Sequence, residues 1–348
     1  MIRVKTVAQM ATLASVLLVA STPARAFDDA TYKGRFAAEY YKAGQLRTLA
    51  IRPFSGPDGS NFTAALSAEL GRATLSEENW FTIKPANTKE TDPARAGKAL
   101  GVAGVVDGAV VTAKVTRTDR TELPDKKDKS AGSAAGVLCT RIMLQYTVHA
   151  QIFDVANGAS AYDKTHSVQD GYDLCNGKGQ EIAVESNEGL MVSLAKKLTG
   201  GPKKDAYIIE FTEDALFQRV RGVIATKIKD DITPFNKPVS VEFKRRAPEM
   251  PKPLQSTFES ATPFIKAGQL DRACAIWKLL RSEPAAAASV SLLYNLGACQ
   301  ETLKPDNPAA ALELYVKADQ LLSKPDKLLS PALKRAQDML EIQQKIGS

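Results

Sequence analysis

Few residues in this chain are equipped for chemistry. It has two histidines, His149 and His166, and four cysteines, Cys139, Cys175, Cys274 and Cys299. An imidazole can serve as base or metal ligand, and a thiolate as nucleophile or ligand. A zinc site needs three or four such ligands, and none of the spacings supplies them. A nucleophilic Cys139 or Cys175 with a histidine base is conceivable chemistry, but a disulfide would remove both thiols. Gly177-Lys178-Gly179 lacks the flanking glycine spacing and the hydroxyl residue of a phosphate loop. No Gly-x-Ser-x-Gly elbow is present, and the carboxylates are scattered without a paired motif. The sequence therefore nominates no catalytic, cofactor-binding or metal-ligating residue, and the expectation is a protein that is not an enzyme and carries no cofactor.

The histidines share one long alternating stretch. Leu144, Tyr146, Val148, Ala150 and Ile152 interleave with Gln145, Thr147, His149 and Gln151, the period of a strand with one buried and one wet face. A return strand runs from Ala159 to about Tyr172. With a three-residue loop and Gly158 in the left-handed position of a bulge turn, Val155 faces Ala159, His149 faces Thr165 and Cys139 faces Cys175. Facing residues of an antiparallel pair have Cα atoms about 4.5–5.5 Å apart, within reach of a disulfide. This register predicts a Cys139–Cys175 bridge and sends His166 to the other face. A two-residue Asn157-Gly158 turn would slip the register by one, pairing His149 with His166 and setting the cysteines a step apart. Cys274 and Cys299 read as two small buried hydrophobes, with a bridge between adjacent helices as the alternative.

The elements that position this hairpin follow from local signals. Strands are expected at Leu49 to Phe54, Phe81 to Lys84 and Val102 to Val115, with helices from about Phe62 to Glu77, capped by Ser60 or Asn61, and from Asp92-Pro93 to Leu100. Residues 118–136 read as a loop and 180–199 as an amphipathic helix. A strand (Tyr207 to Phe211), a helix (Asp214 to Asp230) and a strand (Val239 to Phe243) follow, and Pro248, Pro251 and Pro253 mark a boundary. Beyond it the pattern is all helix. The predicted fold class is α/β, a mixed sheet with a long antiparallel hairpin, plus all-α helical hairpins. The expected domains are 27–202 (α/β), 203–252 (linking) and 253–348 (helical).

Residues 1–26 read as a cleavable signal peptide: a basic start, an apolar run from Ala11 to Ala20, and Ala24-Arg25-Ala26 as the cleavage site. The run is shorter than the about 20 residues that span a bilayer, and no cysteine follows the site to carry a lipid. No transmembrane segment is expected after cleavage, and the mature chain should dissolve without detergent. Of the formal charge of +7, the segment 1–26 carries Arg3, Lys5 and Arg25 and no acid, and the +4 that remains, with basic clusters scattered and free of interleaved aromatics, argues against nucleic acid.

Two resemblances add to this. Ala261, Phe264, Gly268, Ala273, Trp277 and Leu280 sit at spacings that return as Gly297, Gln300, Ala311, Tyr315 and Ala318, a period of about 34–38 residues. The segments Gly268 to Trp277 and Tyr294-Asn-Leu-Gly297 resemble tetratricopeptide repeats, although the turn from Thr302 to Pro308 is too long for that pattern; 330–346 would be a capping helix. The resemblance makes Ala261, Phe264, Ala273, Trp277, Gly297, Ala311, Tyr315 and Ala318 packing residues. In the first half, Leu49-Ala-Ile-Arg-Pro-Phe54, Ala99 to Gly108 and Ile152-Phe-Asp-Val-Ala-Asn-Gly158 occur in that order. Over residues 46–200 this resembles the α/β domain shared by the TolB N-terminal domain, the penicillin-binding-protein activator lipoproteins and the curli secretion channel subunit CsgG. That resemblance implies an envelope binding or assembly protein. It does not extend to a pore, because the 118–136 insert lacks the apolar-out alternation of about 9–11 residues that a membrane strand needs; the missing lipidation cysteine also separates the chain from the lipoprotein members.

The expected function is an exported periplasmic, non-enzymatic binding or scaffold protein that meets a protein or peptide partner in the cell envelope. The alternative is an accessory subunit of an outer-membrane secretion or assembly system, peripherally attached. A periplasmic hydrolase stands third, given the empty motif search.

Overall fold

The computed structural model describes residues 29–75, 77–86, 90–122, 137–175, 178–181 and 211–347. The signal peptide, residues 123–136 of the expected loop, most of the expected 180–199 helix and nearly all of the 207–211 strand lie outside them. The fold is α/β with a mixed sheet, together with a helical part.

The elements in chain order are β1 (Asp29–Phe36), α1 (Tyr41–Gly44), β2 (Thr48–Ile51), α2 (Gly59–Gly71), β3 (Thr74–Leu75), β4 (Glu78–Asn79), β5 (Thr82–Pro85), α3 (Pro93–Leu100), β6 (Gly104–Glu122), β7 (Val137–Asp154), β8 (Ser160–Cys175), β9 (Lys178–Glu181), α4 (Glu213–Ile232) and β10 (Phe235–Glu242). The helices α5 (Lys252–Ser260), α6 (Thr262–Lys266), α7 (Leu270–Leu280), α8 (Pro284–Ala287), α9 (Val290–Leu303), α10 (Pro308–Asp319) and α11 (Leu329–Ile346) follow. By compactness the described chain forms two units. The α/β unit runs from Tyr32 to Val239 and includes 305–309 and 333–347; the helical unit comprises Ser240–Lys304 and Ala310–Ala332 with residues 29–31. The expected linking segment 203–252 is thus divided, its described helix α4 in the α/β unit and its last residues in the helical one.

The main sheet has the order β5-β2-β6-β7-β8-β9. The β5-β2-β6 part is parallel and the rest antiparallel. The alternation in β7 buries Leu144, Tyr146, Val148, Ala150 and Ile152 completely, against Phe62, Leu66 and Leu70 of α2 and Leu216, Val220, Ile224 and Ile228 of α4. Each of the larger aliphatic side chains contributes roughly 1.5–3 kcal/mol relative to exposure. The opposite face is covered at one end by α3 through Ala50, Val102, Val105 and Val155. Farther along, it presents Thr112, Thr147 and Ser167 in one row and Lys114, Gln145 and Gln169 in the next.

Local signals set several boundaries. Asp92 caps α3 through Arg95 N (2.7 Å), Pro93 opens that helix, and Gly101 closes it at φ +61°. Thr212 caps α4 and Ser289 caps α9. Two expectations fail here. Residues 118–122 are not a loop: β6 continues to Glu122, paired as far as Val137, because its threonines and alternating polar residues suit a ladder exposed on its faces. The first helix ends at Gly71, not Glu77, since the chain turns into the β3–β4 hairpin, where Trp80 N donates to Ala73 O (2.6 Å) and the Trp80 indole to Gly44 O (2.8 Å).

Candidate functional site

In the α/β unit the ladder from Ile152↔Tyr162 to Cys139↔Cys175 runs without a break. Gly158 has φ +72°, and the irregularity between Ile152 and Phe153 absorbs an extra residue next to the turn. Cys139 and Cys175 are disulfide-bonded, with Cα atoms 4.1 Å apart. Beside them, the buried Asp173 accepts from Arg141 Nε and Nη2 (both 3.0 Å) and from Arg120 Nη2 (2.5 Å). The Arg141 hydrogen bond outweighs burial and holds the Asp173 carboxyl below its ordinary range.

The two histidines are on opposite faces. His149 lies opposite Thr165 on the wet face, with Nε2 2.8 Å from Asp163 Oδ1. His166 is buried, its Nε2 2.7 Å from the Tyr162 hydroxyl and 3.3 Å from Asp231 Oδ2. Tyr162 donates to Asp231 (3.0 Å), and Lys164 pairs with the same carboxylate (3.1 Å). Burial works against the charge of Asp231, but hydrogen bonds from His166, Lys164 and Tyr162 prevail and lower its pKa. Burial, then Asp231, pushes the Tyr162 phenol up. The Tyr162 hydroxyl, His166 Nε2, Lys164 Nζ and the Asp231 carboxylate engage one another and clamp the end of α4 to β8. Among the described residues no three His, Cys, Asp or Glu side chains converge as a metal site would require.

In the helical unit, Ala261, Ala273, Trp277, Ala311, Tyr315 and Ala318 are fully buried. Gly297 lies against the Tyr315 ring. Phe264 is only half-buried, with the Arg272 guanidinium 4.7 Å from its centroid, and its neighbour Ile265 is buried instead. Cys274 and Cys299 are bonded, with a Cα separation of 5.9 Å, the alternative to two small buried hydrophobes. The packing of α7 on α9 brings the two positions within disulfide reach.

The surface offered by α7 and α9 is occupied by the chain's own segment ahead of α5. Val241, Phe243, Ala247 and Met250 are buried there. Phe243 stacks on Trp277 at 5.5 Å. Asn295, itself fully buried, accepts from Lys244 N and donates to Lys244 O, both at 2.9 Å, and the Tyr294 hydroxyl donates to Glu242 O. No sequence expectation singled out Asn295; its signal was an amide inside the apolar run from Leu292 to Leu296.

Beside this segment is a cleft of about 740 Å3, with Val290, Leu322 and Leu328 among its apolar lining residues. Of its three acids, Glu242 is exposed, and Glu249 and Asp326 are spent internally. Glu249 accepts from Ser289 Oγ (2.6 Å) and Ser291 N (2.7 Å) at the start of α9. Asp326 accepts from Lys244 Nζ (2.5 Å) and from Leu328 N and Leu329 N at the start of α11. Burial opposes both charges, yet these donors hold both pKa values down. Arg246 and Lys327 are exposed on the rim.

No protein-family model matches the chain. No curated protein matches it either. Among solved structures it is similar to the PelC dodecamer from Paraburkholderia phytofirmans, at 15% identity over 40% of this chain and 79% of that one, with a TM-score of 0.23. It is similar to TolB from Acinetobacter baumannii at 18% identity and a TM-score of 0.23, over 50% of this chain and only 32% of TolB. For lipoprotein GNA1162 from Neisseria meningitidis the values are 15% identity, 43% and 94% coverage, and a TM-score of 0.25. Such partial likenesses fix neither a partner nor an activity, and the tetratricopeptide expectation rests on the residue pattern alone. Among the described residues no helix is long and apolar enough to cross a membrane.

Proposed function

We propose that the chain is an exported, non-enzymatic binding protein of the cell envelope, and that its helical unit takes an acidic segment of a partner protein. The cleft beside Lys244 carries this reading. Its apolar floor suits side chains of a bound segment, and two of its three carboxylates are already committed to helix starts and to Lys244, which leaves Glu242 outnumbered by Arg246 and Lys327. Arg246 and Lys327 then leave the rim cationic, which steers an acidic partner. The two disulfides support export, since such bonds persist in oxidising compartments and are rare in the cytosol.

The test is photocrosslinking in cells from a reactive residue placed at position 327, followed by titration of the captured partner's acidic segment. Arg246→Glu with Lys327→Glu should weaken that binding at least about 10-fold and leave melting unchanged. Binding indifferent to the double charge reversal would overturn the proposal.

A further inference from the structure

A second pocket, of about 530 Å3, lies in the α/β unit. That is within the roughly 300–1,000 Å3 of small-ligand sites. It sits past the carboxyl end of β2, which runs parallel to both neighbours, the place where open α/β sheets bind ligands. After β2 the chain follows β6 as far as Ser55, bridged to Ala109, and then turns into α2 at Asp58. Asp58 has φ +65°, a conformation that L side chains seldom hold. Its carboxylate accepts from the Tyr146 hydroxyl (2.8 Å), Asn61 Nδ2 (2.7 Å) and Arg221 Nη1 (2.8 and 3.1 Å). Across from this turn, α4 contributes Asp214, Phe217, Gln218 and Arg221, spaced as one helix face. Phe217 is half-buried, held edge-on against Tyr146 at 6.1 Å.

We propose that this pocket binds a neutral sugar residue of an oligosaccharide. The groups that face it are planar two-atom donors and acceptors, the Asp214 carboxylate, the Asn61 and Gln218 amides and the Arg221 guanidinium, while the Asp58 carboxylate is spent on holding Asn61 and Arg221 in place. Adjacent sugar hydroxyls, each both donor and acceptor, match such groups in pairs. The Phe217 ring offers an apolar face for the C–H side of a pyranose. The ionic balance rules out the commoner anionic ligands. Arg221 and Asp58 neutralise each other, and the remaining charge, Asp214, is negative. The start of α2 favours negative charge, but Asp58 and Asp214 outnumber the single cation Arg221 and oppose a phosphate there. Asp58, Asn61 and Arg221 are pre-positioned by one another, whereas Asp214 and Gln218 are exposed and can be changed without disturbing the fold.

The experiment is calorimetric titration of the mature protein with maltotriose, cellotriose and tri-N-acetylchitotriose, with inorganic phosphate and spermidine as charged probes. At least one trisaccharide should bind with a Kd below about 1 mM. Asp214→Ala and Gln218→Ala should each weaken it about 10-fold; Gln218→Ala should leave the melting temperature of the free protein unmoved, and Asp214→Ala should lower it only by the small contribution of a first-turn acid. Neither phosphate nor spermidine should compete. The proposal fails if no trisaccharide saturates up to about 10 mM, if binding ignores both substitutions, or if either charged probe displaces the sugar. None of these outcomes touches the cleft of the helical unit.

Discussion

Gly297 on α9 faces the ring of Tyr315 on α10 so closely that a methyl group on Gly297 would lie 2.5 Å from Tyr315 Cε1. The ring cannot swing away freely, because it is fully buried and its hydroxyl donates to Glu301 at 2.8 Å. Gly297→Val should therefore overpack the helical unit and destabilise it by about 1–3 kcal/mol. Urea unfolding measures this, and an unchanged midpoint would contradict the packing described for α9 and α10.

Asn295 is the only side chain that satisfies both the N–H and the C=O of Lys244 in the described hydrogen bonds. Asn295→Leu keeps the branched outline in a somewhat larger side chain but leaves both groups without that partner, costing about 1–3 kcal/mol. Loosening of the Lys244 segment should also reach Phe243, which stacks on Trp277. The expected readout is a red shift of tryptophan emission along with the loss of stability.

The Cys139–Cys175 bridge closes a loop of 36 residues. Replacing both with alanine should lower stability by about 2–4 kcal/mol, chiefly by freeing the unfolded chain. Peptide mapping under non-reducing conditions should recover 139 linked to 175 and 274 linked to 299. Two free thiols at either pair in protein from the envelope would contradict the pairing.

Acid should weaken the clamp between β8 and α4. The pKa of Asp231 is lowered from its ordinary 3.8 in the folded state, so the carboxylate stabilises the fold above that value and loses this contribution as pH falls through the lower one. Asp173, held down by Arg141, acts in the same direction. The urea midpoint should hold to about pH 5 and fall below about pH 4. Asp231→Asn should be less stable at neutral pH and show a shallower acid decline; an identical slope would show that Asp231 does not titrate with folding.

The β7–β8 register was legible in the sequence almost to the residue, and so was the opposition of Cys139 to Cys175. Polar alternation assigns each residue to a face, and the hydrogen-bond ladder carries the count from Ile152↔Tyr162 to Cys139↔Cys175; beside the turn the pairing is Phe153↔Ser160, one residue off the expected facing of Val155 and Ala159, and the bulge there restores the count. The helix start at Asp92 depends on a capping group three residues from its donor and was legible in the chain, whereas α2 starts at Gly59 after Asp58 and not at a Ser60 or Asn61 cap. Other relationships depend on how separate elements pack. Cys274 and Cys299 sit on different helices, and helical spacing specifies a face but neither the rotation nor the distance of the partner. Asp58 and Arg221 are 163 positions apart and meet only because α2 and α4 cover the same face of the sheet. Asn295 meets Lys244 only because the segment before α5 folds back over α9. Local periodicity determined the elements and one hairpin's register; packing between elements decided which polar groups became neighbours, because a contact across the core has no ladder to count along.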